Sequence, residues 1–404
     1  NEVERVYQRF LGVQINNETQ NLGRWESHRD AMQNVEMIFD ESGGYGLNQV
    51  MSEFWNAWQD LTNNPSGSVE RTILLAKSEM LAMTLNKNNE GLKTVQRDID
   101  TMLTGAVDEI NRLSDSIFDL NQKIAQMEHG GHAANDYRDQ RDALLKELSE
   151  LIDISSFEDA NGATIVSVGS GQVLVEAARS YDLSTQVNAS GLLDITWLDS
   201  SNNPVTITNM ISGGKLKGWL DTRDLDITNA LNQLDSLAQR LMEEVNTLHQ
   251  GGYGLDGSTG NDFFTGAATA AGIRVNPALA SDVNLIAAAA GFDTIPGDKP
   301  GDNGNAIAIA NLQTALTMNG NTTTYDAYYG SLVSKVGSAV QQAGSYYDHQ
   351  SQMVLQLENQ RESISGVSID EEMINLVKFQ NAYQAAAKLI STADQMMETV
   401  LNII

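Results

Sequence analysis

The most constraining feature of the sequence is a seven-residue repeat of apolar side chains in its first half. Steps of three and four residues keep such side chains on one narrow face of an α-helix, which is the pattern of coiled coils. The sequence therefore predicts one long helix that ends at Gly130-Gly131, with a second helix packed antiparallel against it. The two interleaved registers are Leu85, Leu92, Ile99, Ala106, Leu113, Leu120 and Met127, and Leu103, Ile110, Ile117 and Ile124.

A second seven-residue repeat runs to the last residue printed. It follows Ser365-Gly366, where Ser368 and Glu371 match a capping box and predict the start of a helix. A helix cannot bury its own apolar seam, so this seam needs a partner, either an earlier segment or other subunits. We therefore predict that segment 365–404 is an assembly helix. The predicted interface residues are Ile369, Leu376, Phe379, Tyr383, Ile390, Met397, Val400 and Ile404.

Between the helical ends, the spacing of apolar residues changes to that of β-strands. Segments 164–168 and 172–175 are rich in β-branched residues and flank a Gly-Ser-Gly turn, which predicts a hairpin. Segments 193–197 and 205–208 are further strand candidates. The predicted fold class is mainly α with a β domain: a discontinuous, coiled-coil-like bundle of long helices is built from both chain ends and carries an inserted small β domain.

This pattern divides the chain into six predicted segments. They are 1–153, the N-terminal part of the helical domain; 154–215, the small β domain; 216–250, the returning helix of the helical domain; 251–305, a loop-rich connection; 306–364, the C-terminal part of the helical domain; and 365–404, the C-terminal assembly helix.

Composition excludes several classes of function. The 404 residues contain 25 Lys and Arg against 53 Asp and Glu, which gives a net charge of −28. Nucleic-acid binding draws most of its affinity from basic residues, so no nucleic-acid partner is expected. The chain has no cysteine, which removes thiol nucleophiles and disulfide frameworks. No apolar run is long enough to predict membrane insertion.

The histidines offer no strong site for chemistry. His129 and His132 resemble a fragment of a zinc motif, but Gly130-Gly131 breaks the helix that would place both rings on one face. An exposed turn is the favoured interpretation. His249 lies at a predicted helix C-terminus, where a cation is favoured by the helix dipole. We therefore predict no catalytic residue, no cofactor and no metal ligand.

The segment from Asp256 to Asp262 needs a separate test because its spaced carboxylates suggest a calcium loop. No glutamate occupies the twelfth position of an EF-hand, and only one copy is present. We interpret it as a turn-rich loop anchored by Phe263 and Phe264.

Several motifs resemble those of the bacterial flagellar axial proteins. Segment 365–372 with 375–387, and its continuation 389–397, resembles the C-terminal signature that hook and rod proteins share. Segment 54–65, with Phe54-Trp55 and Trp58, is more discriminating and resembles the hook-associated proteins of the hook–filament junction. The remaining similar motifs lie at 136–144 and at 254–264.

The resemblance implies a structural subunit and no enzyme. It implies a ring of subunits between hook and filament, with the hook protein, a second junction protein and the chain itself as partners. It further implies a cognate export chaperone on the C-terminal helix, and export to the extracellular flagellum without a cleaved signal peptide. The family begins with an N-terminal helical segment that this sequence is expected to lack.

Two alternatives stay open at this point. One is another axial protein, a hook or filament subunit. The other is a secreted hydrolase on a flagellar scaffold, for which His129 and His132 would be the candidate metal ligands.

Overall fold

The structure is a computed structural model of the chain. It describes residues 2–41, 43, 46–129, 133–159, 162–291, 301–365 and 369–401, and the side chains of 2–9, 364–372, 375 and 398–401 are outside that description. The chain divides into two compact units, one of residues 1–15 and 353–404 and the other of residues 16–352.

Most of the described chain is helical. The helices are α1 Glu2–Ile38, α2 Leu47–Asn63, α3 Ser68–His129, α4 Asn135–Leu151, α5 Gly214–Asp221, α6 Thr228–Gly251, α7 Pro277–Ser281, α8 Gly304–Ala310, α9 Tyr325–Ser365 and α10 Ile369–Leu401, with a π-helical segment Thr222–Ile227 between α5 and α6. In the described residues, none of these helices combines the length and hydropathy that a bilayer crossing needs.

The predicted long helix is confirmed as α3, which is 62 residues long. Its seam forms the core of the larger unit, and Leu85, Leu92 and Ile99 are fully buried. The last member of the repeat, Met127, lies in α3 and is 40% exposed.

Helix α4 packs antiparallel to α3, as predicted. Arg138 pairs with Glu128 at 2.8 Å, while Arg141, further along α4, donates to the Asn121 side chain at 3.0 Å, further back along α3. The bond from Arg138 lowers the pKa of the Glu128 carboxyl. Two polar clamps therefore fix the register of this helical hairpin.

Six strands form two small antiparallel sheets. The first has the order β1-β2-β3 (Ile154–Glu158, Thr164–Val168 and Gln172–Val175), and the second has the order β4-β5-β6 (Leu183–Val187, Leu193–Leu198 and Pro204–Thr206). The predicted hairpin is confirmed by the pairing of Val168 with Gln172. A further pair of two-residue strands, β7 Phe264–Thr265 and β8 Arg274–Val275, lies in the loop-rich region.

The last predicted strand is shorter than expected. Strand β6 ends at Thr206, and Thr208 lies in a 3₁₀ turn. The Thr208 hydroxyl accepts a hydrogen bond from the Ile195 amide at 2.8 Å, so a side chain takes the place of the next rung of the ladder.

Side chains of α3 attach both three-stranded sheets to the helix. Asn111 accepts from the Leu183 amide at 2.8 Å and donates to its carbonyl at 2.9 Å. Asn121 makes the same pair of bonds with Thr164, at 3.0 and 2.9 Å. Each asparagine side chain thus makes the pair of hydrogen bonds that a neighbouring strand would make. The β domain is held against α3 through the backbone groups of Leu183 and Thr164.

The two ends of the chain meet in antiparallel helices, which confirms the predicted discontinuous bundle. Within the larger unit, Trp25 of α1 stacks on Tyr346 of α9 with ring centroids 4.5 Å apart. Phe39, later in α1, lies 6.4 Å from Tyr329, earlier in α9. The opposite order of these pairs sets the antiparallel direction.

Candidate assembly surface

Helix α10 exposes every side chain that the structure describes between Met373 and Met397. The described interface residues are Leu376, Phe379, Tyr383, Ile390 and Met397, with exposed fractions of 55, 76, 78, 66 and 63%. Ile369 and Val400 lie in α10, but their side chains are outside the described set, and Ile404 lies outside the described residues. The interface therefore stays a prediction, and its described members are exposed.

The heptad members share one face of α10. Residues seven apart on an α-helix differ by about 20° around its axis. Leu376, Tyr383, Ile390 and Met397 consequently form one apolar stripe, which Phe379 widens. Leu376, Phe379 and Tyr383 also line a shallow depression on this helix. The stripe has the width and spacing that a second helix requires of a coiled-coil partner.

The charge of the middle part of α10, residues 373–397, favours association. Between residues 373 and 397 the charged residues are Lys378, Lys388 and Asp394, whereas the whole chain carries a net charge of −28. Copies of a strongly acidic protein repel each other through their negative surfaces. This repulsion is weakest where the surface carries little negative charge. An isolated helix is also only marginally stable in water, because most helical stability comes from packing an apolar face. A partner on α10 would therefore stabilise the helix.

The smaller unit contains a compact cluster from both chain ends. Leu11 and Ile15 of α1 pack with Leu357 of α9, and their exposed fractions are 2, 1 and 6%. Met353 packs against them. The paired ends of α1 and α9 are therefore a packed element of the same unit that contains α10.

Further exposed apolar residues of this unit were not predicted from the sequence. Phe10 and Val13 of α1 are 63 and 44% exposed, and Leu355 of α9 is 58% exposed. A signal was present in the sequence, since Val3, Val6, Phe10 and Val13 follow steps of three and four residues. The candidate assembly surface comprises these three described side chains and the α10 stripe.

The zinc hypothesis finds no support in the geometry of His129. Its Nδ1 lies 3.2 Å from the Ala125 carbonyl in the last turn of α3, and His132 lies outside the described residues. Within the described ranges, no group of three or more His, Asp or Glu is placed to hold a metal ion.

The loop from Asp256 to Asp262 is built by turns, as predicted. One oxygen of Asp256 accepts hydrogen bonds from the Ser258 amide at 3.0 Å and the Ser258 hydroxyl at 2.6 Å. Asp262 accepts from the Gln250 side chain at 2.5 Å. Phe263 and Phe264 are fully buried, so the predicted aromatic anchor is confirmed.

His249 is buried and neutral, which contradicts the interpretation of a cation at a helix end. Its Nδ1–H donates to the Asn261 carbonyl at 2.7 Å, and its Nε2 accepts from the Ala287 amide at 2.9 Å. Burial lowers the pKa of His249 to about 4. A second proton would sit on Nε2 and face the Ala287 N–H, so desolvation and geometry both oppose the charge that the helix dipole favours.

An aromatic cluster brings together the motifs at 54–65 and 254–264. The Trp58 and Phe263 rings have centroids 5.2 Å apart, and Phe54 lies 5.9 Å from Phe264. The His249 ring meets the edge of Phe263 at 5.3 Å. Helix α2 and the loop at 254–264 thus share one aromatic core, although they are distant in sequence. The two motifs that resemble the same family are therefore in contact in the fold.

Comparisons with known families match most of the chain. The model of the flagellar hook-associated protein FlgK helical domain matches residues 32–264. The model of the flagellar basal body rod FlgEFG protein C-terminal region matches residues 358–403, which include all of α10.

Individual relatives match along almost the whole chain. Flagellar hook-associated protein 1 of Bacillus subtilis is 28% identical over 437 residues, which cover 99% of this chain and 84% of the relative. Flagellar hook-associated protein 1 of Escherichia coli is 24% identical and covers 99% of this chain and 88% of the relative. In fold, the chain is similar to the flagellar hook junction protein FlgK from Burkholderia pseudomallei, with a TM-score of 0.78, 16% identity and coverage of 88% of this chain and 100% of that one.

Proposed function

The chain belongs to the family of the flagellar hook-associated protein FlgK, and from that premise we propose that its copies join side by side in a ring between hook and filament. As a member of this family, it is a structural protein of the hook–filament junction. The observation that carries the ring proposal is the apolar stripe of α10, which stays exposed along the described helix.

The stripe on α10 is the proposed contact between subunits. Sequence pattern left two kinds of partner for it, an earlier segment of the chain or another subunit. Within the described residues, every side chain of α10 between 373 and 397 is exposed, so the described chain leaves the stripe largely uncovered. We propose a neighbouring subunit as the partner, with Leu376, Tyr383 and Ile390 at the centre of the contact.

Further partners follow from the same family membership. We propose contacts with the hook protein on one side of the ring and with a second junction protein on the other. We also propose that an export chaperone covers the α10 stripe before assembly, because an exposed apolar helix is an aggregation hazard in the cell. The place of action would be the extracellular part of the flagellum, reached without a cleaved signal peptide.

The proposed action is assembly without catalysis. The relatives that match the chain are structural flagellar proteins. The histidine geometry adds support, since His249 uses both ring nitrogens in backbone hydrogen bonds.

The test is a paired charge substitution on the stripe. In Tyr383→Glu/Ile390→Glu, two carboxylates would be buried against the neighbouring subunit, which is costly without partners. The variant gene replaces the natural one in a flagellated strain, and filaments per cell are counted by electron microscopy. We expect filaments to be lost, while the circular dichroism spectrum and the fluorescence of the purified variant match the wild type.

The matched control is Asn381→Glu, which adds charge to the same helix on the face opposite the stripe. It should leave the filament count close to wild type. Normal filaments in the stripe variant would show that this face is not the contact between subunits.

A further inference from the structure

The same dipeptide, asparagine followed by glycine, occurs at two places that have different surroundings in the fold. Asn303-Gly304 lies at the start of α8, and Asn319-Gly320 lies in the turn before α9. A third pair, Asn161-Gly162, has its asparagine outside the described residues. Asparagine is chemically labile before glycine, because the glycine nitrogen can attack the side-chain amide with no Cβ in the way. The surroundings of each pair therefore decide how fast it reacts.

The pair at α8 is held by hydrogen bonds on both of its reacting groups. The Asn303 side-chain amide donates to the Thr62 carbonyl at 2.7 Å. The Gly304 N–H donates to a carboxylate oxygen of Asp302 at 2.9 Å. The space around this glycine is also filled, since a Cβ at position 304 would lie 2.8 Å from the Ala290 Cβ. Attack of the glycine nitrogen on the Asn303 side chain would require both hydrogen bonds to break.

The pair in the turn before α9 is free of these restraints. Both residues are exposed, and no residue in the described part of the chain accepts a hydrogen bond from the Asn319 side chain or from the Gly320 N–H. A Cβ at position 320 would meet nothing within 4 Å. The backbone of both residues is left-handed, with φ angles of 50° and 69°, which an asparagine adopts at some cost. The reacting groups at Asn319 are therefore accessible in the folded chain.

Hydrogen bonds around this turn close it and polarise the reacting amide. The Thr322 amide donates to the Met318 carbonyl at 3.0 Å, and the Met318 amide donates to the Thr323 carbonyl at 3.0 Å. The Thr322 hydroxyl donates to the main-chain carbonyl of Asn319 at 2.8 Å. That carbonyl belongs to the same amide group as the Gly320 nitrogen, so the hydrogen bond makes the N–H easier to deprotonate.

We propose that Asn319 is a site of spontaneous deamidation in the folded chain, while Asn303 is protected. The Gly320 nitrogen loses its proton to the solvent and bonds to Cγ of Asn319. The bond between Cγ and Nδ2 breaks, and the released nitrogen takes up a proton and leaves as ammonia. Water then opens the cyclic succinimide, at Cγ to give aspartate or at the main-chain carbon to give isoaspartate. One water enters and one ammonia leaves, and nothing is oxidised or reduced.

The modification changes both the charge and the length of the turn. Either product adds one carboxylate to a chain whose net charge is −28. Isoaspartate also routes the main chain through Cγ and lengthens it by one carbon between Met318 and Thr323. The turn is attached to α6 by Arg240, which donates to the Thr317 carbonyl at 3.1 Å and to the Asn321 side chain at 3.3 Å. Deamidation should therefore loosen the start of α9, and it does so independently of the proposed ring.

The experiment incubates the full chain in neutral and in mildly alkaline buffer and follows both peptides by mass spectrometry over several weeks. Each deamidation adds one dalton to its peptide, and labelling by a protein-isoaspartate methyltransferase identifies the isoaspartate product. We expect Asn319 to react about tenfold faster than Asn303, the ratio that two hydrogen bonds of ordinary strength would give. The rate at Asn319 should rise with pH, since the attacking nitrogen must lose a proton.

Incubation in concentrated urea is the control for the role of the fold. Both pairs lose their surroundings there, so the two rates should become nearly equal. Equal rates at Asn319 and Asn303 in the folded chain, a faster reaction at Asn303, or a tenfold ratio that persists in urea would each overturn the proposal. This comparison needs no variant, so it does not depend on how any substitution folds.

Two variants test the residues themselves. Asn319→Gln should abolish the mass gain at position 319 and leave Asn303 unchanged, because the longer glutamine side chain closes a ring far more slowly. Asp302→Ala removes the acceptor of the Gly304 N–H and should raise the rate at Asn303, with Asn319 unchanged and the circular dichroism spectrum that of the wild type. An unchanged rate at Asn303 in this variant would show that the hydrogen bond to Asp302 is not what protects it.

Discussion

Helices α3 and α10 carry the same seven-residue repeat and meet opposite surroundings. In α3, Leu85, Leu92 and Ile99 are fully buried inside one chain. In α10, Tyr383 and Ile390 are 78 and 66% exposed. The period therefore specifies a helix with an apolar seam in both cases, but it does not specify whether the partner belongs to the same chain.

The difference between the two helices follows from what the chain offers each of them. Helix α3 is surrounded by elements that its own polar residues hold in place: Asn111 and Asn121 bind strands, and Arg71 binds a loop. Between 373 and 397, α10 offers three charged side chains, and every side chain described there is exposed. The seam of α3 is therefore buried among elements of its own chain, whereas the described side chains of the α10 stripe are exposed.

The largest expected effect compares one leucine from each helix. Leu92→Ala empties space in the core and should lower the free energy of unfolding by about 4 kcal/mol, whereas Leu389→Ala removes a side chain that is 73% exposed and should change it by less than about 0.5 kcal/mol. Urea unfolding followed by tryptophan fluorescence measures both. Equal losses would contradict the view that only α3 has its partner within the chain.

The second prediction concerns the clamp at the start of α3. Arg71 is 1% exposed and donates to the carbonyls of Pro65, Val283 and Ile286, the last at 2.7 Å. Burial lowers the pKa of Arg71 to about 10. Arg71→Met should cost about 3 kcal/mol in urea unfolding, because buried carbonyls lose their donors.

The matched control for this clamp is Arg97→Met on the same helix. Arg97 is 64% exposed and pairs with Glu90 at the surface, where ion pairs contribute little. A loss as large as that of Arg71→Met would mean that helix propensity, and not the clamp, explains the result.

The third prediction is a pH dependence that belongs to the larger unit. The folded-state pKa of His249 is about 4, below its usual value near 6.5, so the unfolded state binds a proton more readily. The contribution of His249 to the free energy of unfolding is present above about pH 6.5, and it is lost as the pH falls towards 4. Between pH 7 and pH 5 the loss should be about 2 kcal/mol.

Urea unfolding at both pH values checks this sign and size. His249→Gln should be less stable than the wild type at pH 7, and its free energy of unfolding should fall much less between pH 7 and pH 5. His129→Gln should show the same fall between the two pH values as the wild type. Segment 353–404 contains no histidine, so the same pH change should leave the α10 contact unaffected through this route. An unchanged slope in His249→Gln would assign the effect to other groups.

The smallest expected effect tests the pairing of the chain ends. Tyr346 stacks on Trp25, and such ring pairs contribute about 1 kcal/mol beyond their buried area. Tyr346→Ala should therefore lower stability by about 1 kcal/mol, whereas Tyr383→Ala on α10 should leave it unchanged within error. Thermal unfolding by circular dichroism is sufficient, and a reversed order would contradict the assignment of α9 to the core and α10 to the surface.

Local patterns in the sequence predicted much of the fold. The repeat predicted α3, and the predicted returning helix at 216–250 overlaps α6. Enrichment in β-branched residues predicted the hairpin of β2 and β3. Strands β1 and β4 were not identified, because their edges depend on pairing with β2 and β5 and carry little pattern of their own.

The candidate site was only partly predictable. The stripe of α10 was identified from its spacing, and its described members are exposed. Phe10, Val13 and Leu355 were missed because short seams do not stand out from ordinary helix surface. The state of His249 could not be read from its position at a helix end, since Ala287 and Asn261 reach it only in the folded chain.

The sequence by itself determined the periods, and therefore where helices and strands form and which face of each is apolar. The tertiary structure decided which of those faces are covered. Period is a local property of a few neighbouring residues, while burial depends on segments such as β4 and the loop at 283–286 that fold back from far along the chain. That is why the seam of α3 is buried within the chain, while the described members of the same kind of seam on α10 are exposed.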